Sequence, residues 1–313
     1  MNRIVPVRRG WMLAGVILLL AACTNSTSKK KADSSETTAI QHELGITNVP
    51  VTPQTIVVLD YSILETLDTL GIRVAGIPKS HVPSYLQRFK DDTTVADLGN
   101  PTEVNFEKIN ALNPDLIIMS ARLRTSYEEL SKIAPTLYLP IDDNDFMGSF
   151  KRNMSVIGKL FHKENIVQAA VDSIDGRLKA LNEKTGRLPG KGMIALYTKG
   201  KFNVYGKNSR FGILHSVMGI KPSVDSIQNS MFGQAVSSEF IQEANPDYLF
   251  IIDRNAAVDK RAAGMAEIEN PLIKTTNAYK NGKIIFLDHD YWYLAGGGLI
   301  SVNKMIDQMN AVF

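Results

Sequence analysis

Two arginines stand at matching places in this 313-residue chain. Arg122 closes the stretch 104–122 (VNFEKINALNPDLIIMSAR), and Arg254 closes the stretch 236–254 (VSSEFIQEANPDYLFIIDR). The two stretches align without gaps and share Val, Glu, Ile, Asn-Pro-Asp and the final Arg. Guanidinium offers forked donors to oxygen anions and a flat face to aromatic rings, so two arginines facing one cleft would make an anion site. Other chemistries are less well served. The five histidines (42, 81, 162, 215 and 289) are scattered, with no pair one helical turn apart, which argues against a zinc or manganese carrier. No Gly-x-Ser-x-Gly segment offers a hydrolase nucleophile, and no enzyme is indicated. Asp288-His289-Asp290 reads as a solvated turn, since adjacent side chains on a loop seldom converge. Ala295-Gly-Gly-Gly-Leu lacks the Gly-Lys-Ser/Thr ending of a phosphate loop and reads as the opening of the last helix.

The elements that must carry the arginines follow from periodicity. Each copy of the repeat reads as a helix, an Asn-Pro-Asp stop and an apolar strand, because proline lacks a donor and restricts the residue before it. In open α/β sheets ligands bind beyond the carboxyl ends of the strands, which is where both arginines emerge. Further strands are expected at Thr55–Asp60, Val74–Ile77 and Thr136–Leu139, then at Met193–Tyr197, Lys201–Tyr205 and Lys283–Leu287. A helix is expected over Ser62–Leu70, closing at Gly71. Between the two sets Ile166, Val167, Ala170, Val171, Ile174, Leu178 and Leu181 keep a helical period that Gly186 and Pro189 end. The fold class is therefore α/β: two lobes with largely parallel sheets joined by one long α-helix. The boundaries are 45–162 for the first lobe, 163–186 for the bridging helix and 187–313 for the second lobe.

The start of the chain is of another kind. Arg3, Arg8 and Arg9 precede a short apolar run from Trp11 to Leu20, and Leu20-Ala21-Ala22-Cys23 follows. That is the order of an export signal, and the run is short for a membrane span. The segment resembles a lipobox, which implies that residues 1–22 are removed as a lipoprotein signal peptide. Cys23 then becomes the lipid-modified first residue, carrying palmitate among its acyl chains and tethering the protein to the outer face of the cell membrane. Residues 23–44 are polar and rich in Ser, Thr and Lys at the start, and read as a flexible tether. Cys23 is the single cysteine, so neither an intrachain disulfide nor a thiolate metal cluster can form.

Composition narrows the partners. Hydrophobic residues make up 44% and charged residues 21%, the balance of a globular protein. The formal charge is +3, and removal of Arg3, Arg8 and Arg9 leaves basic and acidic residues equal in number. A neutral body does not suit nucleic acid or an anionic membrane surface, which need a basic excess.

The segments TIVVLDYSILETLDTLGI, GIPKSHVPSYL, YGKNSRFGILH and LDHDYWYLAGGG, together with the two repeat copies, give the chain a recognisable pattern. It resembles the siderophore-binding lipoproteins of ABC iron importers, of the petrobactin/enterobactin type, over about residues 45–313. The resemblance implies a rigid helical bridge and a pocket of three arginines, which fall on Arg122, Arg210 and Arg254. It also implies an aromatic contact from the segment Tyr291-Trp292-Tyr293, with Tyr293 the better match and Tyr291 the alternative. Many relatives place a histidine where this chain has Phe232, so histidine coordination of iron is in doubt and Tyr293 is left as the candidate iron ligand. Glu107 and Glu239 match the glutamates with which the family docks on its permease.

The expected function is that of a monomeric, lipid-anchored, extracytoplasmic binding protein. It captures a ferric siderophore of catecholate type and delivers it to an ABC permease, with no cofactor of its own. A ferric tris-catecholate carries about three negative charges around aromatic rings, which arginines can both neutralise and stack upon. The alternative is a haem- or cobalamin-binding protein of the same fold.

Overall fold

The computed structural model describes residues 36–313, apart from 229 and 231. The signal segment, Cys23 and the first part of the tether lie outside the described residues. Among the described residues no helix is long and apolar enough to cross a membrane.

The first lobe is built on a five-stranded parallel sheet. Its strands run in the order Ala96–Asp97, Gly76–Ile77, Ile56–Val58, Leu116–Met119 and Thr136–Tyr138. Ile56 pairs with Leu116 and Ile117 with Thr136, which sets the carboxyl ends of the central strands side by side. The second lobe has a six-stranded sheet in which Lys191–Thr198, Tyr248–Asp253 and Ile284–Leu287 run parallel. Lys201–Tyr205 and Gln234–Val236 join it antiparallel. The reversal occurs at Lys199-Gly200, both at positive φ (47° and 83°), the backbone of a two-residue hairpin.

The repeat keeps the same geometry in both lobes. Asn113 and Asn245 end their helices in left-handed conformation, at φ 46° and 38°. The aspartate two residues on then fixes the start of the neighbouring strand: Asp115 accepts from the amides of Gln54 and Thr55, and Asp247 from that of Lys191. Asn-Pro-Asp therefore both stops a helix and registers the sheet beside it.

The bridging helix, Glu164–Thr185, buries Val167, Val171, Ile174, Leu178 and Leu181. Ile166, one of the residues that suggested the helical period, is 55% exposed on the far side of it. A Cβ on Gly176 would meet nothing within 4 Å, so this glycine sits on an open face and leaves the helix unbroken. The last helix, Leu299–Val312, returns to the bridge, where Arg177 bonds Asn303 and Asp307. At its other end it meets helix Tyr61–Thr69 of the first lobe. Gly298 passes there so closely that a Cβ would lie 2.2 Å from Glu65 Oε1 and 2.3 Å from the Ser62 carbonyl, which only glycine allows.

One strand lies inside the stretch read as tether. Thr37–His42 pairs antiparallel with Gly45–Pro50, so the folded body begins ahead of residue 45. Four of its six residues are exposed and only Ile40 among its apolar side chains packs on the core, which left little periodicity to read. Asp290 also differs from expectation: it is buried, and it accepts hydrogen bonds from the amide and hydroxyl of Ser84 in the first lobe.

Glu65 is the least solvated acid of this seam, with no exposed surface. Its Oε1 accepts from the amide and hydroxyl of Ser301, at 2.7 and 2.6 Å, and its other oxygen meets the Tyr85 hydroxyl. Burial outweighs these bonds and pushes the carboxyl from the ordinary 4.5 up to about 7. The folded protein then holds a proton that the unfolded chain releases. The resulting stabilisation is complete below the unfolded value and lost as pH rises through the folded one, roughly 3 kcal/mol in all. Thermal melts should show the melting temperature falling between pH 5 and pH 8 in the wild type and falling less in Glu65→Gln. Equal slopes would remove Glu65 as the cause.

Candidate functional site

The cleft forms where the carboxyl ends of the two sheets meet the turn Asp290–Leu294. Arg122 follows strand Leu116–Met119, as the repeat requires, and Arg254 follows Tyr248–Asp253. Arg210 lies in the loop before the short helix Ile213–Ser216. The guanidinium groups of Arg122 and Arg210 come from different lobes and donate to one acceptor, the Tyr293 carbonyl, at 2.6 and 2.5 Å. Two cations on one oxygen repel each other. Burial, then Arg122, pushes the Arg210 guanidinium down to about 10, still charged at neutral pH. Its plane also lies 4.6 Å from the centre of the Tyr293 ring and 5.0 Å from that of Phe211.

Two adjoining cavities share Arg122. The first, of about 170 Å³, is lined by Arg122, Arg210, Asp60, Asp143, Trp292 and the glycines 296 and 297, among others. The second, of about 100 Å³, brings Arg122 together with Arg254, Tyr293, Tyr61 and His81. Arg122 and Arg210 thus meet at Tyr293, and Arg254 joins Arg122 and Tyr293 in the second cavity. Of the other two aromatics of the segment, Trp292 lines the first cavity and Tyr291 lines neither. Tyr291 packs against Tyr85 at 4.8 Å between ring centres, and Trp292 is 2% exposed, with its indole donating to Gln308. Phe232 is 74% exposed and lines neither cavity. His215 is a buried core side chain whose Nδ1 meets the Ile220 carbonyl. Among the described residues no group of three or more His, Cys, Asp or Glu side chains is placed to hold a metal ion.

Glu107 and Glu239 occupy the second position of their helices, Phe106–Ala111 and Ser238–Ala244, and both are exposed. The Ser237 hydroxyl beside Glu239 holds its carboxyl below the usual range. Carboxylates in a first helical turn are favoured by the helix dipole, so the two positions are electrostatically settled as well as equivalent.

Sequence reasoning missed the acids and the histidine of the cleft. Asp60 caps helix Tyr61–Thr69 through the amides of Ser62 and Ile63 and lies 3.6 Å from Arg122. An aspartate ending an apolar run ahead of a helix was a readable cap signal. Burial, then the cations Lys260 and Arg254, push the His81 imidazole below its usual range, and its Nδ1 is buried without a partner among the described residues. Nothing local marked it, because its neighbours come from distant segments.

The chain is similar to known proteins over most of its length. A family model described as periplasmic binding protein matches residues 56–291. The chain is 43% identical over 298 residues to the petrobactin-binding protein YclQ of Bacillus subtilis, covering 93% of this chain and 94% of that one. It is 38% identical to the ferric-anguibactin-binding protein FatB of Vibrio anguillarum, over 86% and 85% of the two chains. Among solved structures, the catecholate-siderophore binding protein VctP of Vibrio cholerae matches with a TM-score of 0.83 and 33% identity, over 88% of this chain and all of that one.

Proposed function

The chain belongs to the periplasmic binding protein family, and from that premise we propose that it captures a ferric siderophore outside the cytoplasm and delivers it to an ABC permease. It is a binding protein and not an enzyme. The observation that carries the reading is the meeting of Arg122 and Arg210, from opposite lobes, on the Tyr293 carbonyl. Two guanidinium groups held this close, with Asp60 offsetting only Arg122 at 3.6 Å, leave positive charge for an anion to share, and Arg254 adds a third in the cavity it forms with Arg122 and Tyr293. An anionic complex with aromatic chelating rings satisfies both faces of these groups, the forked donors and the flat plane. Catecholate is therefore the favoured chelator class, and the Tyr293 phenol is the protein oxygen best suited to approach ferric iron, a hard cation. Phe232 can supply no lone pair to it.

The order of Arg3, Arg8, Arg9, the apolar run and Cys23 supports export and lipid attachment at Cys23. The protein acts on this reading as a monomer on the outer face of the cell membrane. The test is a tryptophan-quenching titration of the purified protein against ferric catecholates, ferric hydroxamates and haem, with the visible spectrum recorded. Saturable binding of ferric catecholates with their broad visible band is expected. Saturation by haem alone, with a sharp Soret band, would overturn the reading.

A further inference from the structure

The cleft proposed to take an anion also contains a carboxylate that has no structural duty. Asp143 lies on the loop between strand Thr136–Tyr138 and helix Phe146–Leu160 and lines the larger cavity with Arg122 and Arg210. Its neighbours are all committed. Asp142 accepts from the Asn144 amide, and Asp145 caps the following helix at the Gly148 amide and pairs with Arg152. Asp60, the other acid of the cavity, caps a helix and faces Arg122. Asp143 accepts no hydrogen bond and forms no ion pair among the described residues. Its surroundings reach across the cleft, since Arg210 of the second lobe lines the same cavity. Burial pushes its carboxyl up, while Arg210 pulls it back toward ionisation.

A free carboxylate weakens a site built for anions, since it offsets one of the three arginine charges and repels the ligand. It is useful there if the ligand itself carries a positive group. We propose that Asp143 is a second, oppositely charged subsite of the cleft, receiving a protonated amine on the backbone of a ferric siderophore whose chelated iron lies against the arginines. This deepens the proposed function and rests on it. The ligand class is thereby narrowed to chelators whose catechol arms are joined by an amine that stays basic, as opposed to arms joined only through amides or esters. Arginine and aspartate then read opposite ends of one molecule, and a purely anionic complex meets repulsion from Asp143 that the matched ligand does not.

The test uses two ferric complexes of one linear triamine bearing a catechoylamide at each end. In one the central amine is free and protonated at neutral pH; in the other it is acetylated. Both are titrated by tryptophan quenching into wild type and Asp143→Asn, a near-isosteric change. Wild type should prefer the free-amine complex. The variant should lose roughly 10- to 100-fold in affinity for that complex, the range for a hydrogen bond to a charged group, and should bind the acetylated one equally or more tightly. An equal factor for both complexes, or no preference in wild type, would overturn the inference while leaving the site intact. Failure of wild type to bind either complex would overturn the site reading and the inference with it.

Discussion

Alanine in place of Arg210 is expected to weaken binding of a ferric catecholate by about 1–3 kcal/mol, roughly one to two powers of ten in Kd. Arg122→Ala and Arg254→Ala should each fall in the same range. Arg122 and Arg210 share one carbonyl, so their effects should not add: removing either relieves repulsion on the other, and a double-mutant cycle should return a coupling term. The same repulsion predicts an opposite effect on the empty protein. Arg210 is desolvated and pushed by Arg122, so Arg210→Met should melt at a higher temperature than wild type while binding less. Isothermal titration and thermal melts on the same preparations measure both quantities. Unchanged affinity in all three single alanine variants would contradict an anion site here.

The second large effect concerns delivery rather than capture. With Glu107 and Glu239 both replaced by alanine, uptake of iron by cells supplied with the ferric siderophore should cease, whereas the affinity of the purified protein stays as in wild type. Both side chains are exposed at matching positions on the two lobes and line neither cavity, so their loss leaves the cleft as it is. Each single variant should retain part of the transport, because on the docking reading one carboxylate is left to meet a cationic counterpart on the permease. Normal transport by the double variant would remove the docking role.

How much of this was legible in the sequence depends on the range of the interaction. The bridging helix and strands such as Leu116–Met119 and Lys201–Tyr205 were readable because their periodicity is local. The repeat located Arg122 and Arg254 at strand ends, since Asn-Pro-Asp imposes the same stop in both copies. The anchor of the site was not readable. The Tyr293 carbonyl is a backbone atom, and it lies 171 residues from one of its arginines and 83 from the other. Asp143 was hidden for the opposite reason: it stands in a run of acids and turn formers that reads as an ordinary loop. Only the third dimension shows that its neighbours are occupied and it is not. The edge strand Ala96–Asp97 is two residues long, too short for alternation to register.

The seam at Glu65 has a consequence for the order in which the chain is assembled. Its partner Ser301 lies 236 residues further on, in the last helix. A ribosome delivers the first lobe long before that helix exists, so the nascent lobe carries an acid that has Tyr85 but lacks the amide and hydroxyl of Ser301. The first lobe cannot complete the packing around Glu65 as a free-standing unit, and that seam waits for the last turns of the chain. On the proposed reading of residues 1–22 as an export signal, with the chain crossing the membrane unfolded, that delay is an advantage: the residue that completes this seam is among the last to pass through.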